Sequence, residues 1–129
     1  MRLPRKVYAI QHNVTKKIYI GSSYDVEQRY KSHIWALRGG KHTVEDMQDD
    51  YDEYGEDYSV FILDEITNYD QRCAEYEWMR KYNSIDRRYG YNYKDNERVI
   101  SHGINIVPYK TGKPISLADH QKDGDDFKP

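Results

Sequence analysis

Arg5-Lys-Val-Tyr-Ala-Ile-Gln-His12 and Lys17-Ile-Tyr-Ile-Gly21 decide the fold. Both stretches are rich in β-branched and aromatic residues, the first alternates in polarity, and the polar Asn13-Val-Thr-Lys16 between them carries a turn former. They read as the two arms of a β-hairpin. Tyr8 lies on the first arm and Tyr19 on the second, so the hairpin brings two phenols toward one cleft.

Downstream, Ser22 and Ser23 offer an N-cap, and Val26, Tyr30, Ile34 and Leu37 recur at helical spacing. This predicts a helix over about residues 25–37, closed by Gly39-Gly40. Thr43 with Asp46 resembles a second N-terminal cap; Val44, Met47, Tyr51 and Tyr54 form a stripe, and Gly55 supplies the stop. Tyr58-Ser-Val-Phe-Ile-Leu63 reads as a third strand, followed by a helix from about Asp70 to Tyr82 with Ala74, Trp78 and Tyr82 inward. Tyr89-Gly-Tyr-Asn92 then turns the chain back. Beyond Asn92 the signals fade: Ile104 to Val107 reads as a short strand at most, among Gly, Pro and charged residues. The expectation is one α/β (α+β) domain over residues 1–93 and a partly irregular extension over 94–129, so that truncation after about Lys94 leaves a folded domain.

A chain of 129 residues has room for one such domain. Fourteen tyrosines against two phenylalanines mean that much of the core is built from rings that need a partner for a hydroxyl. No stretch approaches the roughly 20 apolar residues of a membrane span, and the first residues lack the apolar run of a secretory signal. An intracellular protein, in the cytoplasm or nucleus of a host cell, is therefore expected, with no membrane partner. Cys73 is the single cysteine, which excludes an internal disulfide and a thiolate zinc cluster. It reads as a helix residue near the core, and any metal must be held by oxygen or nitrogen.

The net charge of −2 argues weakly against a nucleic-acid partner, but its distribution reverses that reading. Residues 1–42 carry nine Lys/Arg against Asp25 and Glu27, whereas residues 43–70 carry eleven acids and no Lys or Arg. Such a chain can turn a cationic face to a phosphate backbone and an anionic face away from it. Acids clustered on one solvated helix explain the middle block equally well.

Arg29 and His33 lie four apart and so share one face of the first helix, just beside its apolar stripe. Tyr19-Ile-Gly21 precedes them, with a glycine that permits an unusual dihedral or close approach of a ligand. On the third helix Glu75 lies at the edge of the inner face. On spacing alone, each has an ordinary structural explanation: tyrosines packing a sheet, a solvated arginine, a helix-packing histidine and a surface acid.

The ordered set is more informative than its members. Lys6-Val-Tyr8, Tyr19-Ile-Gly21-Ser-Ser, Arg29, His33, Gly40-Lys-His42, Tyr54-Gly55, Glu75-Tyr-Glu-Trp78 and Tyr89-Gly-Tyr-Asn92 together resemble the catalytic domain of the GIY-YIG nuclease superfamily, over about residues 6–93. The resemblance is particularly to its phage and homing-type members. It implies a three-stranded antiparallel sheet flanked by helices, and a metal-dependent DNA endonuclease that hydrolyses phosphodiester bonds by water attack at one divalent ion. On that basis Glu75 holds Mg2+ (or Mn2+), and Arg29 neutralises the scissile phosphate. Tyr8 and Tyr19 act around the attacking water, either of them as the base. His33 lies near the site as a catalytic residue. Gly21, Ser22, His42 and Asn92 are candidate substrate-binding residues, Asn92 also bracing the site. Two departures stand out: Lys6 replaces the first motif glycine, and Gln28 stands before the arginine, where homing relatives often have lysine.

Three readings follow. The first is an active DNA endonuclease. The second is a DNA-binding or assembly module that keeps the fold without cleaving, favoured by Lys6 and the acidic balance. The third is a structure-specific repair nuclease acting on branched or flap DNA. A homodimer is compatible with each. No helix-turn-helix or zinc finger is legible in residues 94–129.

Overall fold

The computed structural model describes residues 4–66 and 71–101. The chain runs β1 (Arg5–His12), β2 (Ile18–Ser23), α1 (Val26–Arg38), α2 (Glu45–Tyr54), β3 (Tyr58–Ile66), α3 (Gln71–Tyr82), a 3-10 turn (Tyr93–Asp95) and α4 (Asn96–Ser101). The strands form one antiparallel sheet in the order β2-β1-β3, with β1, buried from Val7 to His12, in the middle.

The expected hairpin is present. Its loop is closed by a buried imidazole: His12 Nδ1 accepts from the Val14 and Thr15 amides at 3.1 and 3.3 Å, satisfying donors that the tight turn leaves without ladder partners. The register sets Tyr8 opposite Gly21 and Ile10 opposite Tyr19. Alternation then sorts the sheet into two faces. Val7, Ala9, Ile18 and Ile20 pack with Ala74, Tyr76, Met79 and Tyr82 of α3. Tyr8, Ile10 and Tyr58 pack on the other side with Val26, Ile34 and Leu37 of α1 and Met47 of α2. Lys6, the residue at the departing glycine position, sits in regular ladder between Ser23 and Glu65; the register irregularity falls one step later, between Val7 and Tyr8.

Both expected helix caps are corrected. Ser22 and Ser23 belong to β2, and Asp25 caps α1 by accepting from the Gln28 amide at 3.1 Å. At α2 the capping position is Val44, which has no capping side chain, because Thr43 lies one residue too early. Tertiary groups take over: the Val44 amide donates to His42 Nδ1 at 3.0 Å and the Asp46 amide to the Tyr93 hydroxyl at 3.3 Å. β3 runs past Leu63 to Ile66, and Tyr54, expected in the apolar stripe of α2, is 46% exposed. On α3, Trp78 is only partly buried and donates its indole N–H to Asp64 at 3.1 Å.

The acidic helix is not uniformly solvated. Glu45, Asp49, Asp52 and Glu53 face outward, but Asp46 is buried and gripped by both Nε and Nη2 of Arg87 at 2.7 Å, with Lys17 at 3.8 Å. Asp50 accepts the Tyr91 hydroxyl at 2.6 Å. These inward acids fasten α2 to the segment following α3.

The core also continues past the expected boundary at residue 93. α4 was not foreseen, and its Val99 is fully buried in the cluster on the α3 face of the sheet. A cut after Lys94 would remove that side chain from the cluster, so the truncated chain is expected to be less stable than the longer one. Ile104 to Val107 and the closing segment lie outside the described residues. No described helix is long and apolar enough to cross a membrane. Val99→Ala is expected to lower stability by about 1–3 kcal/mol, read as a reduced urea midpoint. An unchanged midpoint would show that α4 contributes nothing to the core.

Candidate active site

Gly21 and Tyr8 define the centre of the site. A Cβ at position 21 would fall 2.7 Å from the Tyr8 hydroxyl, 2.8 Å from Tyr8 Cζ and 3.1 Å from Tyr19 Cε2. The glycine is therefore required by space: its φ lies outside the left-handed region, which Gly40 and Gly55 do occupy. Tyr8 lies across bare backbone, and the Tyr8 and Tyr19 ring centroids are 6.3 Å apart.

A chain of hydrogen bonds runs from this phenol into α1 and beyond. Tyr8 Oη meets His33 Nε2 at 3.1 Å, His33 Nδ1 meets His42 Nε2 at 2.8 Å, and His42 Nδ1 faces the Val44 amide at 3.0 Å. The last contact sets the direction of all the others. An amide can only donate, so His42 Nδ1 carries no proton and its Nε2–H donates to His33 Nδ1. His33 Nε2–H then donates to the Tyr8 oxygen, which leaves the phenolic O–H for another acceptor. The two imidazoles stack with centroids 5.0 Å apart, and the His42 amide is held by Gln48 Oε1 at 3.0 Å.

The electrostatics favour these neutral forms. Burial, then His42 and Arg29, push the His33 imidazole down to about 4, and burial likewise lowers His42. Burial pushes the Tyr8 phenol well above its ordinary value; Tyr19 and Glu75 add to the rise, while Arg29 and Arg5 oppose it. Tyr19 is raised by burial and by Glu75, again against Arg29. At neutral pH both phenols therefore keep their protons in the protein alone.

Glu75 approaches from α3. β2 presents Gly21 to the tyrosine face and Ser22 to the α3 side, where the Ser22 hydroxyl donates to Glu75 Oε2. Arg5 Nε donates to the same serine oxygen at 3.0 Å. Arg29 is exposed on α1, four residues before His33, and acts electrostatically on both phenols and on His33.

Asn92 has a different place from that expected of a substrate contact. It is 2% exposed: its Oδ1 accepts the Ile20 amide at 2.8 Å and its Nδ2 donates to the Ile20 carbonyl at 3.1 Å. The side chain thus completes the open edge of β2 between Tyr19 and Gly21, and its bracing role is structural. His42 reaches the site through His33. The structure thus gathers Tyr8, Tyr19, Gly21, His33 and His42 on one side of β2 and Ser22 with Glu75 on the other. Arg5 is the residue that sequence reasoning passed over, because one cation at a strand start carries no periodic or motif signal.

A model of the GIY-YIG catalytic domain matches residues 5–92. The chain belongs to the GIY-YIG family. It is 32% identical over 91 residues to intron-associated endonuclease 1 of Enterobacteria phage T4, a match covering 69% of this chain and 36% of that protein. This chain thus matches only about a third of that relative. Among solved structures, a mutant form of the catalytic domain of intron endonuclease I-TevI superimposes with a TM-score of 0.61 at 29% identity, covering 70% of this chain and 94% of the other. A second structure, of the catalytic domain of homing endonuclease I-TevI, gives a TM-score of 0.59 at 29% identity, covering 67% and 95%. The expected three-stranded antiparallel sheet with flanking helices is the fold they share, and the curated relative among them is a phage endonuclease.

The donor set of this GIY-YIG domain restricts the ion it can take. Among the described residues no three His, Cys, Asp or Glu side chains are grouped to hold a metal, and all four ring nitrogens of His33 and His42 are engaged in the relay. A closed zinc site is not available among the described residues. A single oriented carboxylate fits a hard cation that keeps most of its waters and takes further oxygens from a phosphate.

The relay has a pH signature. Above the ordinary histidine value of about 6.5, folded and unfolded chains both hold neutral imidazole, so nothing is lost. Between about 6.5 and 4 the unfolded chain takes up the proton first, so folded stability falls with pH. Urea unfolding at pH 7 and pH 5 should show a smaller fall for His33→Gln than for wild type. Parallel profiles would contradict a His33 held neutral.

Proposed function

We propose that this domain is a divalent-metal-dependent DNA endonuclease that hydrolyses a phosphodiester by water attack, with Mg2+ or Mn2+ held at Glu75. The observation that supports this best is the Ser22-oriented Glu75 within electrostatic range of two buried phenols and Arg29. Family members generally use divalent ions, and a bound ion supplies charge neutralisation at the phosphate and a more acidic water. DNA as substrate accords with the basic residues 1–42, which include Arg29.

Each side chain has a task. Arg29 offers a permanently charged planar fork to the scissile phosphate, where charge accumulates as the water oxygen bonds to phosphorus and the leaving oxygen departs. Tyr8, its oxygen fixed by His33, offers its O–H to orient the water or a phosphate oxygen. Tyr19 is raised in the same way and packs against His33, with ring centroids 5.0 Å apart, which makes it a wall of the site and a second hydroxyl donor. Ser22 prevents Glu75 from rotating away from its ligand.

Lys6, the departure that favoured the non-cleaving module, still pairs with Ser23 and Glu65, one step before the register irregularity at Val7 and Tyr8. With supercoiled plasmid and Mg2+, wild type should nick or linearise DNA, EDTA should abolish this, and Glu75→Gln or Arg29→Ala should cost roughly 100-fold or more in rate. Absence of cleavage by wild type over the same Mg2+ and Mn2+ range would sink the nuclease reading.

A further inference from the structure

Arg5 begins β1 and is held at two points. Its Nε–H donates to Ser22 Oγ at 3.0 Å, and its guanidinium carbon lies over the Tyr24 ring, 4.7 Å from the centroid. The serine oxygen accepts from this cation while its own proton goes to Glu75, so the arginine and the carboxylate are registered to each other through one atom.

That anchoring uses one of the five N–H groups of the guanidinium. Among the described residues no carboxylate forms an ion pair with Arg5, unlike Arg38, Arg87 and Arg88, whose forks are each closed on an acid. A guanidinium stacked on an aromatic ring and bonded through Nε has little freedom left, and both terminal nitrogens remain for a planar, bidentate acceptor. Arg5 and Arg29, from separate elements, both act electrostatically on the Tyr8 phenol. A role confined to orienting Glu75 and holding it ionised would need only the Nε contact and the charge, not the two open terminal nitrogens.

We propose that Arg5 is a second phosphate-binding arginine of this site, taking the non-bridging oxygens of a backbone phosphate other than the one held by Arg29. The inference rests on the nuclease reading above. Two arginines on two phosphates fix the strand's direction across Glu75, which one arginine alone does not.

The test is duplex binding by fluorescence anisotropy in EDTA across a salt series, with thermal unfolding to verify the fold, and cleavage in Mg2+ alongside. Arg5→Gln and Arg5→Met should weaken binding about fivefold to tenfold and reduce the slope of log K against log salt by about 0.9, the value for one lost phosphate contact. Arg5→Lys should restore the slope but leave cleavage below wild type, because lysine keeps the charge and loses the Nε anchor and the stack. Tyr24→Leu should raise KM more than it lowers kcat. If wild type cleaves while Arg5→Gln and Arg5→Met bind with unchanged affinity and slope, the inference is overturned and the nuclease reading stands. If wild type neither binds nor cleaves, both fall.

Discussion

The close approach of Tyr8 to the backbone of Gly21 is the contact on which the rest of the site depends. Only a residue without a Cβ lets the phenol lie where it does, and only there does its oxygen meet His33 Nε2. From that point a single sequence of donors runs outward through His33 and His42 to the Val44 amide at the start of α2. The backbone of one helix thus sets the tautomer of two imidazoles and the donor direction at a tyrosine on the sheet.

The fold serves this contact by holding β2 from both sides. β1 fixes the register that places Tyr8 opposite Gly21, and the Asn92 amide occupies the outer edge of β2 at Ile20. Gly90 makes that possible, because a Cβ there would lie 2.3 Å from Ser84 Cα, so the chain after α3 can close against its own turn and let the Tyr91 amide reach the Ile18 carbonyl at 2.9 Å. Asp46 with Arg87, and Asp50 with Tyr91, then tie the same segment to α2. The carboxylate side of the site is supported separately, through Ser22 and α3. Tyrosines and carboxylate therefore belong to opposite faces of one strand, near enough for Glu75 to raise both phenols.

What was legible in the sequence follows from how local each signal is. The hairpin, α1 and the order of motifs are written in short-range alternation, helical spacing and residue type, and the family resemblance carried by that order is what pointed to Tyr8, Tyr19, Arg29, His33 and Glu75. Asp25 displaced Ser22 and Ser23 as the cap because β2 continued farther than its composition indicated. α4 left no trace because a helix of six residues is too short to show a period. The roles of Gly21 as room for a ring, Asn92 as an edge partner and Arg5 as a neighbour of Glu75 all depend on residues brought together from distant positions. Spacing along the chain carries no record of such contacts. The tyrosine count did announce a core of partnered hydroxyls, and Tyr8, Tyr58 and Tyr91 each supply one.

The most direct test of this account is the plasmid cleavage rate of Gly21→Ala, measured on protein shown to be folded by near-UV circular dichroism and cooperative unfolding. An added methyl must displace the Tyr8 hydroxyl from the end of the relay. Misplacement of about 1 Å is worth roughly 100-fold in rate, and a loss of at least that size is the predicted result. A folded Gly21→Ala protein that cleaves at the wild-type rate would contradict the claim that the site is built on the contact between Gly21 and Tyr8.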